Sequence, residues 1–148
     1  MPVDAAAEDA EVVVLFDGGC PLCKREIAHY RRLDAGRNRI AWVDLYATPE
    51  RAAEWGIDPR VALQRMHVIE RGQPRVGASA FVAMWRVLPY YRVLGRVFDT
   101  VPGLTSFADR VYRAFARRRW RSRCASGTCP IPSAYRAPLQ DEPTNGRS

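Results

Sequence analysis

The apolar residues near the start of the chain predict a strand followed by a helix. The run from Val12 to Phe16, VVVLF, is continuously apolar and rich in β-branched residues, which is typical of a central strand covered on both faces. The segment from Cys20 to Gly36 then has apolar residues at helical spacing, namely Cys23, Ile27, Tyr30 and Leu33. Pro21 suits a first helical turn, so a strand, a tight turn and a helix are predicted in that order.

The middle of the chain predicts more strands and one short helix. Residues 39–46 favour a second strand, which the first helix joins to the first strand as a βαβ unit. Thr48 and Pro49 favour the start of a short helix that ends near Gly56. Residues 66–77 predict two short strands around a glycine-containing turn.

The pattern becomes helical from Ala78 onward. One apolar face carries Phe81, Trp85 and Leu88, and Pro89 interrupts it before the helical pattern resumes. After Pro102 and Gly103, a last helix is striped by Leu104, Phe107, Val111 and Phe115. We expect this last stripe to pack on the core.

This order, β-α-β-α-β-β-α with further helices, predicts an α/β fold with a thioredoxin-like sheet and appended C-terminal helices. We expect a flexible segment at residues 1–11 and a domain with a helical extension at 12–123. Residues 124–148 are rich in Pro, Gly and Ser, which indicates an irregular tail. A chain of 148 residues is long enough for one such core.

Charge and hydropathy indicate the cellular location and the partners to expect. The first residues have no basic, apolar signal-peptide pattern, and no apolar run is long enough for a membrane span, so we expect a cytoplasmic protein. The net charge of +7 comes from residues 110–123, which hold seven arginines and no acid. An amphipathic helix with a basic outer face is the simplest explanation. Nucleic acid is not an expected partner, whereas an acidic partner or peripheral contact with anionic lipid stays open.

Cys20 and Cys23 are two residues apart at the predicted start of the first helix. The positive end of the helix dipole, together with Lys24 and Arg25, favours an exposed, reactive thiolate at Cys20. Cys23 lies on the apolar stripe, where burial makes a thiol less acidic. We therefore expect Cys20 to attack a substrate disulfide and Cys23 to resolve the mixed disulfide. Such a reaction needs no bound organic cofactor.

Three residues before Cys20 have both functional and structural interpretations. Asp17 either accepts the Cys23 proton, or polarises a water, or stabilises the turn with its carboxylate. Gly18 and Gly19 allow unusual backbone angles and leave room for a substrate chain, or they form a plain turn.

The segment FDGGCPLC resembles the Asp-x-x-Cys-x-x-Cys hallmark of the DCC-type thiol-disulfide oxidoreductases. Two later segments, residues 66–95 and 102–121, are also similar to that family. The resemblance therefore covers residues 12–123. It implies a thioredoxin-like fold and disulfide exchange at Cys20 and Cys23, with Asp17 as the third motif residue. The expected partners are a disulfide-containing protein or small molecule and an unidentified electron donor.

One departure from thioredoxins bears on the substrate. Thioredoxins have a cis-proline just before the third core strand, whereas VALQRMHVI has no proline and Pro59 comes too early. The backbone contact that holds a substrate peptide is therefore expected to differ. A cysteine pair without that proline is also more open to metals, so a metal or iron–sulfur module using the same cysteines is an alternative. A basic interaction protein with incidental thiols is another.

The remaining thiols and imidazoles give weaker signals. Cys124 and Cys129 are compatible with a second disulfide, an electron relay, free thiols or a zinc site shared with the first pair. His29 and His67 have no carboxylate partner in the sequence, so we interpret them as an exposed helix residue and a strand residue.

Overall fold

The computed structural model describes the backbone of residues 10–125 and the side chains of residues 10–122. The segments predicted as a flexible start and an irregular tail lie outside the described residues, apart from the backbone at residues 10, 11, 124 and 125. The described elements are, in chain order, β1 (Val12–Phe16), α1 (Pro21–Asp34), β2 (Ile40–Asp44), a 3₁₀ helix (Pro49–Trp55), α2 (Pro59–Gln64), β3 (His67–Glu70), β4 (Gln73–Val76), α3 (Ala78–Val87), α4 (Arg92–Thr100) and α5 (Leu104–Ala125).

The four described strands form one mixed sheet in the order β2-β1-β3-β4. β1 runs parallel to β2, as the crossover through α1 requires, and Val14 is paired with Trp42. On its other edge β1 runs antiparallel to β3, and the β3–β4 hairpin completes the sheet. The α/β fold with a thioredoxin-like sheet and C-terminal helices is thereby confirmed.

Both faces of β1 are buried, as its uninterrupted apolar sequence predicts. Val14 faces a core that α1 and α3 build with Ile27 and Met84, and it is fully buried. Leu15 faces the opposite core, which the 3₁₀ helix and α2 supply with small and branched residues such as Leu63. Since neighbouring side chains of a strand point to opposite faces, this arrangement explains why VVVLF shows no polar alternation.

Two short helices precede β3, and the sequence indicated only the first. The predicted helix after Thr48 is a 3₁₀ helix that Gly56 ends with a left-handed φ of 69°. The second, α2, begins at Asp58, whose Oδ1 accepts a hydrogen bond from the Arg60 backbone N–H at 2.8 Å. Six residues are too few to show a helical period, so pattern analysis missed α2.

α5 is oriented by polar side chains, so the prediction that its apolar stripe packs on the core is wrong. Phe107, Val111 and Phe115 are 64%, 57% and 47% exposed. The inward face instead carries Asp109, which accepts a hydrogen bond from the Ala78 N–H at 3.2 Å. It also carries Tyr112 and the buried Ala116. Fixed anchors at the start of α3 and before β3 thus determine which face turns inward.

No helix in the part of the chain that the structure describes is both long enough and apolar enough to cross a membrane.

Candidate dithiol active site

The turn between β1 and α1 holds the three motif residues in a small space. The Gly19 N–H donates to Asp17 Oδ1 at 3.0 Å, and the Gly18 N–H donates to Asp44 Oδ1 at 2.9 Å. A methyl group on Gly19 would lie 2.6 Å from the Tyr46 ring, and one on Gly18 would overlap the Asp44 carboxylate. Neither glycine has a positive φ. Both are therefore required for close packing, and not for the unusual backbone angles that the sequence suggested.

Cys20 occupies the N-cap position of α1, with extended backbone angles. No side chain forms a capping hydrogen bond there, and the first turn contains no acidic residue, so the positive end of the helix is open to a negative charge. The residue is only 3% exposed, which corrects the expectation of an exposed thiol. This position favours a thiolate but restricts access to it.

Cys23 lies one turn further along α1 and is half-buried. It contributes to the wall of a cavity beside the helix, whereas Cys20 does not reach that cavity. The apolar stripe of α1 behaves as predicted further along, since Ile27 and Tyr30 are buried. The middle of the stripe is therefore buried, whereas Cys23 at its start is in contact with the cavity.

Arg119 of α5 reaches back to this turn and is the functional residue that the sequence did not indicate. Its Nη1 donates to Cys23 Sγ at 3.2 Å and lies 3.5 Å from Asp17 Oδ2. Its Nη2 donates to the carbonyl oxygens of Leu63 at 3.4 Å and Gln64 at 3.1 Å, near the end of α2. The side chain is 11% exposed. A positive charge is thereby fixed beside the dithiol.

The pKa values of the two thiols move in opposite directions. Burial raises the pKa of Cys20, but the Cys23 backbone N–H, the Cys23 thiol and Arg119 act against it and prevail, so the pKa of Cys20 is lowered. Burial also raises the pKa of Cys23, to about 12; Arg119 counteracts this, whereas Cys20 and Asp17 add to it. The pair therefore favours a thiolate at Cys20 and a neutral thiol at Cys23.

Asp17 is 5% exposed and adjoins both the turn and the arginine. Its hydrogen bond to Gly19 agrees with the structural interpretation of a turn carboxylate. Its ion pair with Arg119, and its position in the cavity wall with Cys23, also bring it into the site. The structure therefore brings together all three sequence-predicted site residues.

The chain was then compared with known proteins. The family model described as DCC1-like thiol-disulfide oxidoreductase matches residues 14–125. The chain belongs to the DCC1-like thiol-disulfide oxidoreductase family. Comparisons with curated proteins and with solved structures gave no match. The match contains the Cys-x-x-Cys pair and Arg119, so the family's redox character applies to the part of the chain that forms the site.

Arg119 does not stand out in the sequence because it is one of seven arginines within residues 110–123. One signal was present: Phe107, Val111, Phe115 and Arg119 follow one another at intervals of four residues. An arginine that continues an apolar stripe differs from its neighbours on the helix. Since the stripe itself is exposed, however, only the path of α5 over the site reveals what Arg119 contacts.

The other sequence-predicted candidates lie elsewhere or outside the described side chains. His29 is exposed and bonds to Tyr91 Oη at 3.1 Å, while His67 is buried and its Nδ1 lies 2.8 Å from the Arg65 carbonyl oxygen. Cys129 lies outside the described residues, and only the backbone of Cys124 is described. Within the described residues, no three His, Cys, Asp or Glu side chains form a group that could hold a metal ion.

Proposed function

We propose that this family member reduces disulfides by dithiol–disulfide exchange, with Cys20 attacking and Cys23 resolving. The observation that carries the proposal is the Arg119 guanidinium 3.2 Å from Cys23 Sγ at the start of α1, where the pKa of Cys20 is lowered and that of Cys23 is raised. The thiolate is the nucleophile in such exchange, so the thiol with the lowered pKa is the attacking group. Family membership favours this function over a metal-binding module or a basic interaction protein.

The electrostatic coupling of the two cysteines suggests how attack and resolution are ordered. While Cys20 carries negative charge, that charge helps to raise the pKa of Cys23 and keeps it protonated. Once Cys20 is bound to substrate sulfur, the charge is gone and the pKa of Cys23 falls. Arg119 then remains in place to stabilise the second thiolate. Cys23 thus becomes nucleophilic at the step that needs it.

Asp17 is proposed to accept the proton that Cys23 releases during resolution, directly or through a water. Its burial, its place in the same cavity wall and its ion pair with Arg119 support this role. We also propose the cytoplasm as the location and reduction of the substrate as the direction, because thiol pairs of that compartment are kept reduced. The electron donor and the substrate are each a thiol or disulfide compound.

Single-turnover exchange tests the proposal. Reduced protein carrying Cys124→Ser and Cys129→Ser is mixed with 5,5′-dithiobis(2-nitrobenzoate), and released thiol and protein mass are followed. The parent should release two thiols and form a Cys20–Cys23 disulfide. The further variant Cys23→Ser should release one thiol and retain a mixed disulfide on Cys20, and Cys20→Ser should react at least about tenfold more slowly. If Cys20→Ser reacts as fast as the parent, the assignment is wrong.

A further inference from the structure

A cavity of about 250 Å³ opens beside Cys23, and the proposed function leaves its purpose unexplained. Residues of α1, α2, α3 and α5 and of the segment before β3 form its wall. The apolar part of the wall consists mainly of Leu22, Ile27, Met66, Phe81, Tyr112 and Phe115. The cysteine end of the cavity also adjoins Asp17 and Arg119. An apolar chamber therefore ends at Cys23, whose thiol is hydrogen-bonded to that of Cys20.

The size and polarity of the cavity define a class of occupant. A cavity of about 150 Å³ lined by apolar side chains is enough to bind benzene, so this larger one has room for an aromatic or branched alkyl group and an attached sulfur. Leu22 and Phe115 are about half-exposed, at 49% and 47%, and give the chamber an apolar opening. Glu26 and Arg65 also line the cavity, and their opposite charges select neither anions nor cations.

The surroundings of the cavity disfavour an extended protein substrate. The backbone N–H of Met66, just before β3, donates to Tyr112 Oη at 2.9 Å, and its carbonyl oxygen accepts from the Gly77 N–H at 3.1 Å. Both backbone groups are thus already used within the chain. Cys20 is 3% exposed, so a disulfide on the surface of a folded protein would not reach its sulfur. A small molecule in the cavity needs no free backbone group, and it approaches the dithiol from the Cys23 side.

We propose that the substrates are low-molecular-weight disulfides with an apolar alkyl or aryl group, which the cavity binds with the disulfide beside Cys23, within reach of the neighbouring Cys20 thiol. This inference rests on the proposed function. The Cys20 thiolate bonds to one substrate sulfur, the substrate S–S bond breaks, and the leaving thiolate takes up a proton. Cys23, as thiolate, then bonds to Cys20 Sγ and releases the second thiol. One disulfide becomes two thiols, and an external dithiol returns the two electrons to the protein.

A matched pair of disulfides tests the substrate class. Methyl 2-hydroxyethyl disulfide and benzyl 2-hydroxyethyl disulfide differ only in the apolar group, and dithiothreitol supplies the electrons. After each rate constant is divided by that of the uncatalysed reaction with dithiothreitol, the benzyl compound should be preferred by about tenfold or more. Glutathione disulfide and oxidised insulin serve as the anionic and the protein alternatives, and both should react more slowly than the benzyl compound.

Two phenylalanines of α5 provide a matched pair of variants. Phe115 lines the cavity and is 47% exposed, whereas Phe107 is 64% exposed and does not line it. Phe115→Ala should reduce the benzyl-to-methyl preference at least about threefold, while Phe107→Ala leaves it unchanged. Because both side chains are about half-exposed or more, neither variant should prevent folding. Binding is measured separately with the unreactive thioether 2-(benzylthio)ethanol, by NMR shifts of the Ile27 methyl groups in the Cys20→Ser variant.

The outcomes separate this inference from the proposed function. If no disulfide reacts faster than with free dithiothreitol but the thioether shifts Ile27, the exchange function fails and the apolar site stands. If exchange is rapid but the normalised benzyl preference is absent, or Phe107→Ala changes it as much as Phe115→Ala does, the apolar site is wrong. Faster reduction of oxidised insulin than of the benzyl compound would likewise overturn it, in favour of a protein substrate.

Discussion

Arg119 Nη1 lies 3.2 Å from Cys23 Sγ, although 96 residues separate the two in the chain. The contact joins the last described helix to the first turn of α1. The same guanidinium bonds to two carbonyl oxygens near the end of α2 and pairs with Asp17, so one side chain connects α5 both to α2 and to the dithiol turn. We therefore expect both the acidity of the thiols and their access to solvent to depend on Arg119.

Replacing Arg119 should separate its effect on the acidity of Cys20 from its effect on the access of solvent to that thiol. In Arg119→Gln the pKa of Cys20 should rise, since a hydrogen bond and a positive charge that lower it are lost. Alkylation of Cys20 at pH 7 should slow about tenfold, whereas the plateau rate at high pH should increase because the cover over the thiol is loosened. The exposed Arg118 on the same helix provides the control Arg118→Gln. An unchanged pH midpoint in Arg119→Gln would show that the arginine does not stabilise the thiolate.

Removal of Cys20 should make Cys23 more reactive. The Cys20 side chain helps to raise the pKa of Cys23 through its hydrogen bond and its charge, whereas burial acts independently of it. In Cys20→Ala, alkylation of Cys23 at pH 8 should therefore be faster than in the reduced parent, yet still slower than that of a free thiol. Mass spectrometry of the alkylated peptide measures the rate. A slower Cys23 in this variant would contradict the coupling on which the order of attack and resolution depends.

The reduced protein should lose stability in alkaline solution partly through Cys23. Burial raises the pKa of Cys23 from 9.0 to about 12. Its contribution to the free energy of unfolding is therefore fully present below pH 9 and is lost as the pH rises toward 12. Burial also raises the pKa of Tyr30, from 10.0 to about 12, so Tyr30 further reduces the free energy of unfolding above pH 10. In urea unfolding, the free energy of unfolding should decrease less between pH 8.5 and pH 10.5 for Cys23→Ser than for the parent. Equal losses would contradict the raised pKa of Cys23.

The orientation of α5 should depend on Asp109. This carboxylate accepts the Ala78 N–H at the start of α3 and pairs with Arg113 at 2.7 Å. Asp109→Ala should destabilise the protein by about 1 kcal/mol, as expected for a lost helix cap, and should increase the plateau rate of Cys20 alkylation. Asp109→Asn keeps an acceptor oxygen and is the conservative control, expected to lie closer to the parent in both measurements. Identical effects of the two variants would indicate that charge, and not the cap, positions α5.

Most of the sheet could be predicted from the sequence because its signals are local. The run VVVLF, the stripe through Ile27 and Tyr30, and the glycine turn between β3 and β4 each determine their own element. The dithiol motif likewise carries its own context, a strand end and a helix start. Local pattern therefore sufficed for the sheet and α1, and for placing Asp17, Cys20 and Cys23 around the turn between β1 and α1.

The features that the sequence did not reveal depend on long-range contacts. The apolar spacing of α5 predicted the wrong inward face, because hydrogen bonds of Asp109 and Tyr112 to distant backbone groups decide the rotation of the helix. That rotation turns Arg119 toward the cysteines, where it donates a hydrogen bond to Cys23. The exposure of Cys20 was predicted incorrectly, although its place at the helix start was predicted correctly.

The pH dependence of Cys20 alkylation in the reduced parent tests the central claim most directly. The midpoint of the rate profile reports the acidity of the thiol, whereas the plateau reports access, so burial of Cys20 does not obscure the result. Fragmentation mass spectrometry distinguishes Cys20 from Cys23 on their shared peptide. We predict a midpoint below the free-cysteine value of about 8.5, with Cys23 reacting much more slowly throughout. A midpoint at or above that value for Cys20 would contradict an attacking thiolate at this position.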